Sequence, residues 1–292
     1  MADFPSYLAV IGQPIEYSLS PAMHRAAFQA LSINACYTAF DVAPERLGEV
    51  VQAMRTLDFR GFNVTIPHKQ AVIDLLDECT PAALRIGAVN TVYVRDGVWI
   101  GDNTDGAGYL SSLSRDLKFD ARGKRAVILG AGGAARGVAD ALLGAGIDEL
   151  WLLNRHRDRA ETLARELSHY HAGAITAGTV ADWPKDRVDL LVNTTPVGME
   201  GHLGGELPIP EVVLHEQMTV SDIVYRPLNT PLLEAARRAG AKTHGGLGML
   251  VEQGALALAR WFGVMPPVDV MRDAARALLA RDGLRARPTA TA

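Results

Sequence analysis

Residues 124–146 read KRAVILGAGGAARGVADALLGAG, and the stretch changes its period part-way along. Lys124 to Leu129 is an apolar run of strand length, whereas beyond the glycines small and apolar residues recur at helical spacing. Gly130, Gly132 and Ala135 stand between them in the form G-x-G-x-x-A, the fingerprint of a strand-turn-helix unit that receives a dinucleotide. Gly130 permits the tight turn, Gly132 lets backbone N–H groups approach a pyrophosphate, and Ala135 allows close helix packing. The helix N-terminus adds positive potential. A glycine turn with no ligand would carry the same three residues, so the strand before and the helix after are what favour a nucleotide.

Downstream, the strand ELWLLN ends in Asn154-Arg155, with Arg157 and Arg159 following. An NAD site would place an acid here for the ribose 2′-hydroxyl; none is present. The planar donor fork of a guanidinium suits a phosphate, so Arg155 and Arg159 favour NADP, although Asp158 and Glu161 blunt the local charge and Arg157 reads as facing water. ELWLLN and the strands VDLLVNTT and MTVSDIVY that come next are separated in turn by RDRAETLARELS and by a Gly/Pro-rich loop over 196–210. A helix capped at Thr230-Pro231, a last short strand, and two helices, from Gly246 to Trp261 and from about Pro267 to Arg281, complete the count. The tail RARPTATA reads as frayed.

Upstream, YLAVIG, CYTAFDV and GFNVTI are strand runs, and NTVYVRDGVWIGDN reads as a hairpin around Asp96-Gly97. Ser20-Pro21, Ile66-Pro67 and Thr80-Pro81 each put a proline where a helix would open, with Ser20 and Thr80 as possible caps. Strands alternating with helices over 292 residues predict an α/β protein of two domains. A 48% hydrophobic and 21% charged composition is that of a soluble globular chain, and a net charge of -4 with interspersed Lys and Arg supplies no field for nucleic acid. No apolar run has the length of a membrane span, and the N-terminus lacks the pattern of a signal peptide, so the expected location is the cytoplasm. Cys36 and Cys79 form no metal or disulfide pattern and read as reduced core thiols. The eight histidines include no ligand set, so no metal is expected, and His169 and His171 read as solvent-exposed beside Tyr170.

Three polar clusters in the first half are unlike ordinary core. YSLSPAMH places Ser18 and Ser20 where a loop enters a helix, two apart and able to face one ligand. GFNVTIPHK puts Asn63 and Thr65 on one strand face and Lys69 in the first turn of the helix expected after Pro67, where the positive end of the helix dipole disfavours an ammonium. GDNTDG sets Asp105 at a helix start, where the same dipole favours an anion and where a bare cap is the commoner reason for an Asp.

Together these strings resemble the shikimate dehydrogenase family. The resemblance runs in order through IGQPIEYSLSPAMH, GFNVTIPHK, IGAVNT, GDNTDG, GAGGAA, NTTPVGM, DIVYRPLNTPLL and GLGMLVEQGA. It implies NADPH-dependent reduction of 3-dehydroshikimate to shikimate, on the way to chorismate and the aromatic amino acids. Carried over by position, it implies that Ser18, Ser20 and Tyr225 hold the substrate carboxylate. Thr65, Asn90, Asp105 and Gln253 would bind the ring hydroxyls, with Lys69 and Asp105 as the catalytic pair, either of which could carry the net proton transfer. On the cofactor side it implies Gly130, Ala131, Gly132, Gly133 and Ala134 for the pyrophosphate, and Asn154, Arg155 and Arg159 for the 2′-phosphate. Ile223, Gly246 and Met249 would lie at the nicotinamide, although Met249 is as consistent with core and Gln253 with a polar helix face. His156 stands where many NADP-dependent members carry threonine.

Because Gln253 has to serve the same substrate as Ser18, the resemblance implies a discontinuous first domain: a substrate-binding domain of residues 1–105 plus 246–292, completed by the C-terminal helices, and a Rossmann-like NADP-binding domain of residues 106–245. The partners it implies are small molecules, with no nucleic acid or membrane, and a monomer or homodimer. A paralogue acting on quinate or aminoshikimate, and a non-catalytic NADP-responsive protein, are the competing readings. Retention of both Lys69 and Asp105 argues against the second.

Overall fold

The computed structural model describes residues 4–185, 187–200 and 205–285. Along the chain run β1 (Ser6–Gly12), α1 (Ser20–Leu31), β2 (Ala35–Asp41), α2 (Leu47–Thr56), β3 (Gly61–Val64), β4 (Glu78–Cys79), α3 (Pro81–Ile86), β5 (Thr91–Arg95) and β6 (Val98–Asp102). Then follow α4 (Asp105–Leu117), β7 (Arg125–Leu129), α5 (Gly133–Gly144), β8 (Glu149–Leu153), α6 (Arg157–Ser168), β9 (Ala174–Gly178), β10 (Leu190–Asn193) and β11 (Thr219–Asp222). The last elements are α7 (Pro231–Arg238), β12 (Lys242–Gly245), α8 (Gly246–Phe262) and α9 (Val268–Arg285). The chain divides into two compact units, one of residues 1–80, 89–102 and 254–292, the other of residues 81–88 and 103–253. Seven residues of the RARPTATA tail, and residues 201–204 of the long loop, lie outside the described residues.

The first unit is built on a six-stranded sheet in the order β2-β1-β3-β5-β6-β4. β1 pairs parallel with β2 and β3, while β5 runs antiparallel to β3 and forms a hairpin with β6. Asp96 and Gly97, both at positive φ, make the two-residue turn expected of Asp-Gly. Consequently the ends of β1 and β3, the start of β5 and the end of β6 all lie along one edge. α9 packs on α1, so the last helix covers the first. Trp261 of α8 donates its indole N–H to Val92 O at 2.9 Å. It fits because Gly61 has no side chain: a Cβ there would stand 2.5 Å from the indole nitrogen and closer still to Val92 O.

Of the three proline-opened helices expected here, two form, at Pro21 and Pro81. Residues 66–72 instead make successive hydrogen-bonded turns with no α-helix. The Ile66-Pro67 peptide bond is cis, and Pro67 lies within these turns. Ser20 is the first helical residue and Leu19 the cap position, with no capping side chain. The Thr80 hydroxyl donates to Asp102 at 2.8 Å. α2, unmarked by any cap or proline of its own, was missed by those start signals and is held by Leu47, Val51 and Met54 at helical spacing. Cys36 and Cys79 are free as expected, but neither is core: Cys36 is exposed on the outer strand β2 and Cys79 half-buried.

His24 of α1 is fully buried, stacked on Tyr37 with ring centroids 4.3 Å apart, and neither ring nitrogen has a hydrogen-bond partner among the described residues. Burial lowers its pKa from 6.5 to about 3. Between those values the unfolded chain binds a proton that the folded chain does not, so stability is intact above pH 6.5 and declines as pH falls toward 3, by up to about 5 kcal/mol. His24→Phe removes this loss. Urea midpoints measured from pH 7 to pH 4 are expected to fall less in the variant than in the wild type, and equal slopes would refute the assignment.

The second unit carries an all-parallel sheet in the order β12-β11-β10-β7-β8-β9. Counted from β7, this is the 3-2-1-4-5-6 order, with a reversal between β7 and β10. β7 is covered on both faces: Ala126 and Ile128 join the cluster of α5 and α6, Val127 and Leu129 that of α7. That double burial explains why AVIL shows no polar alternation. α3 belongs here because Arg85 grips the buried Asp140 of α5 at 2.6 and 2.9 Å. His171 bonds the same carboxylate at 2.8 Å and is mostly buried, contrary to the solvent exposure expected of it, while His169 is exposed. Among the described residues no helix is long and apolar enough to cross a membrane, and no group of three His, Cys, Asp or Glu could hold a metal ion.

Candidate active site

Within the first unit, five of the expected site residues come from segments that meet along one edge of the sheet. Ser18 and Ser20 follow β1, Thr65 and Lys69 follow β3, and Asn90 precedes β5. The Ser18 hydroxyl accepts the Ser20 N–H at 3.3 Å, which joins the two serines as a local turn. Thr65 donates its N–H to Ile11 O, and its methyl lies so close over Gly12 that a Cβ there would collide with it. Lys69 sits half-buried in the turns after Pro67, so the helix-dipole argument for it does not apply. Its backbone is fixed instead by the Val89 N–H, which reaches Lys69 O at 2.7 Å, and by the neighbouring His68, buried with Nε2 2.7 Å from Val42 O. His68 thus ties the Lys69 turn to the end of β2, a role for which the sequence offers only adjacency.

In the second unit, Asp105 is the first residue of α4 and is almost wholly buried. Thr104 takes the cap position, and the Asp105 N–H is met by Asn103 Oδ1 at 3.1 Å. Asp105 therefore stands in the first turn, where the helix dipole stabilises an anion. Gln253 lies against the same turn: its carbonyl accepts from Thr104 Oγ1 at 3.1 Å, and a Cβ on Gly108 would stand 2.6 Å from its backbone nitrogen. The Gln253 amide donates to Leu250 O at 2.8 Å. Tyr225 is in the loop after β11, where burial pushes its phenol above the usual range. The loop is braced by Asp222, whose carboxylate accepts from Thr230 Oγ1 (2.7 Å), Asn193 Nδ2 (3.0 Å) and Val224 N (3.1 Å). Burial raises Asp222 to about 6. It was missed in the sequence, although an acid ending a buried strand is the signal that could have found it.

The residues expected at the cofactor follow the carboxyl ends of β7, β8, β11 and β12 in the sheet whose strand order reverses at β7. Gly130 adopts φ +111, open only to glycine, and a Cβ there would stand 2.6 Å from Thr194 Oγ1. Its N–H donates to Leu153 O at 2.8 Å. Gly132, the cap of α5, is exposed with nothing within 4 Å of where its Cβ would be, so the turn of residues 130–134 leaves open space at a helix N-terminus. These features fit a dinucleotide pyrophosphate. Asn154 donates to His156 O at 2.9 Å, shaping the turn that carries Arg155. Arg157, expected to face water, pairs with Asp182 at 2.6 Å. Hydrogen bonds from Thr179 and this arginine hold that carboxyl down at about 2. Arg155 and Arg159 are exposed and form no ion pair among the described residues. Gly246 and Ile223 are in contact, since a Cβ on Gly246 would collide with Ile223 O, and Met249 is packed in the core cluster of the unit.

Three family models match the chain: the shikimate dehydrogenase substrate binding domain over residues 10–92, shikimate / quinate 5-dehydrogenase over 112–191, and the shikimate 5'-dehydrogenase C-terminal domain over 246–276. Shikimate dehydrogenase (NADP(+)) of Methanopyrus kandleri is 49% identical over 271 residues, 91% of this chain and 93% of that one. The protein of that name from Symbiobacterium thermophilum is 47% identical over 93% and 94% of the two chains. The crystal structure of shikimate 5-dehydrogenase from Thermus thermophilus in complex with NADP(H) and shikimate superposes with a TM-score of 0.84 at 40% identity, covering 93% of this chain and 99% of the other. With its glycine turn, its parallel sheet and its polar edge all carried by segments that these proteins share along nearly their whole length, the chain belongs to the shikimate dehydrogenase family.

Proposed function

We propose that the protein catalyses the reversible NADPH-dependent reduction of 3-dehydroshikimate to shikimate, a step toward chorismate and the aromatic amino acids. The observation that carries this reading is the gathering of Ser18, Ser20, Thr65, Lys69 and Asn90 at one sheet edge in a chain whose other unit bears the dinucleotide turn. Ser18, Ser20 and Tyr225 receive the ring carboxylate through hydroxyl donors. Thr65, Asn90, Asp105 and Gln253 bind the ring hydroxyls. NADPH, when bound, supplies the hydride for the ketone carbon. As charge grows on the ketone oxygen, the Lys69 ammonium stabilises it more than the neutral ketone and gives it a proton. Asp105, in the first turn of α4, accepts from a ring hydroxyl and orients it for the reaction.

The turn of Gly130, Ala131, Gly132, Gly133 and Ala134 holds the pyrophosphate, and Asn154, Arg155 and Arg159 hold the 2′-phosphate. Ile223, Gly246 and Met249 border the nicotinamide, with Met249 as part of the packed wall behind it. As functional regions, residues 1–105 plus 246–292 supply the substrate groups and 106–245 the nucleotide site, while the compact units assign 81–88, 103–105 and 246–253 to the nucleotide-binding body. NADPH is a cytosolic reductant, which supports a cytoplasmic location for the reaction, carried out by a monomer or homodimer. Incubating the purified protein with shikimate and NADP+ is expected to produce NADPH absorbance with a higher kcat/KM than quinate gives. Absence of turnover would overturn the reading, and a preference for quinate would move it to that substrate.

A further inference from the structure

Asp222 is a buried acid to which the proposed chemistry gives no part. It ends β11, is wholly shielded from solvent and forms no ion pair among the described residues. Its partners are neutral donors. Oδ1 accepts from Asn193 Nδ2 at 3.0 Å and from the Val224 N–H at 3.1 Å, and Oδ2 accepts from Thr230 Oγ1 at 2.7 Å. Asn193 is fixed in that orientation, because its nitrogen also faces Val197 O at 3.2 Å and its oxygen the Thr195 N–H at 3.0 Å. None of these bonds needs a charge. An asparagine at 222 with its amide oxygen in place of Oδ1 would accept the first two, and its nitrogen would donate to the Thr230 hydroxyl, whose second lone pair is left over from the Leu233 N–H. The carboxylate is the costlier choice: burial pushes it up to about 6, although the N-terminal end of α7, capped by Thr230, favours an anion.

This charge lies to one side of the dinucleotide turn. A Cβ on Gly130 would stand 2.6 Å from Thr194 Oγ1, and the residue before Thr194 is the Asn193 that bonds Asp222. Arg155, proposed for the 2′-phosphate, follows β8, which flanks β7 on the other side from β10 and β11. A dinucleotide laid across a reversal of strand order reaches both sides of it, so with the 2′-phosphate at the end of β8 the nicotinamide falls toward the ends of β10 and β11. We infer that Asp222 sets the redox preference of the nucleotide site: its uncompensated charge, on the nicotinamide side of the turn, favours NADP+, whose ring is a cation, over NADPH, whose ring is neutral. The inference rests on the proposed cofactor site, in which Ile223 borders the nicotinamide.

The test is the ratio of the dissociation constants of NADP+ and NADPH, measured by calorimetry without shikimate at pH 8, where the carboxylate is ionised. Asp222→Asn is expected to weaken NADP+ relative to NADPH by about tenfold, the size expected of one unit charge acting without direct contact at a partly buried site. The two nucleotides share every group except the charged ring, so damage to the loops would weaken both and leave the ratio where it was. An unchanged ratio, or one that moves in favour of NADP+, makes Asp222 a brace of the loops and overturns the inference. If Asp222→Asn does not fold, Asp222→Ser, smaller and likewise uncharged, is read by the same ratio. A wild type that binds neither nucleotide would overturn the cofactor site beneath the inference, whereas a wild type that binds both, with an unaltered ratio in the variant, overturns the role of Asp222 alone.

Discussion

Replacing Lys69 by alanine lowers kcat for shikimate oxidation by about 10³-fold, while KM for shikimate changes by less than about fivefold. The asymmetry follows from where the charge develops. In the proposed mechanism neutral ketone and neutral alcohol gain little from an ammonium, whereas the alkoxide-like transition state gains an ionic contact. The substitution leaves the local backbone standing, because the turn is held by main-chain bonds from Val89 and to Ile11 and by the buried ring of His68. Steady-state kinetics with shikimate and NADP+ checks the result. Losses of equal size in kcat and in substrate affinity would reduce Lys69 to a binding group, and an unaffected rate would turn the protein into a nucleotide-responsive binder.

Arg155→Ala raises KM for NADP+ by roughly 10²-fold and leaves KM for NAD+ within about twofold. In the proposed site the guanidinium acts only on the 2′-phosphate, which NAD+ lacks, so the second nucleotide is a built-in control. Arg155 is exposed beside the end of β8 and is not drawn off by an acid among the described residues, whereas Arg157 is held by Asp182. Arg157→Ala is accordingly expected to change nucleotide preference by less than about threefold. A loss in Arg155→Ala that is parallel for both nucleotides would place its contact on the part they share, and the 2′-phosphate assignment would fall.

The second unit was the more legible half of the molecule. Its strands are buried on both faces and its glycine turn has a fixed spacing, so apolar run, turn and helix succeed one another without competing signals. The first unit hides more. Pro21 and Pro81 open helices, yet Pro67, in the same kind of context, stands in a series of turns, so a proline after an apolar run does not by itself fix a helix start. β4 has only two residues, too short for any period, and β9 was passed over because AITAG carries just one large apolar side chain. Ser18, Ser20, Thr65 and Lys69 stood out as polar groups where a loop enters a helix or where a strand ends, whereas Asn90 was named only through the family resemblance. His68 and Asp222 went unnamed, because each acts through a partner 8 to 29 positions away, His68 through Val42 and Asp222 through Thr230 and Asn193. His171 was misread for the same reason, its partner Asp140 lying on another helix.

The tie between Trp261 and Val92, together with the packing of α9 on α1, bears on the order in which the protein is made. A ribosome releases residues 1–102 first, but their sheet lacks its covering helices until residues 254–285 have emerged. The middle segment, 103–253, is continuous and needs only α3 from earlier in the chain. The nucleotide-binding half can therefore be folded while the first-synthesised half still waits with an apolar face uncovered, and that waiting face is where a chaperone would be needed during translation.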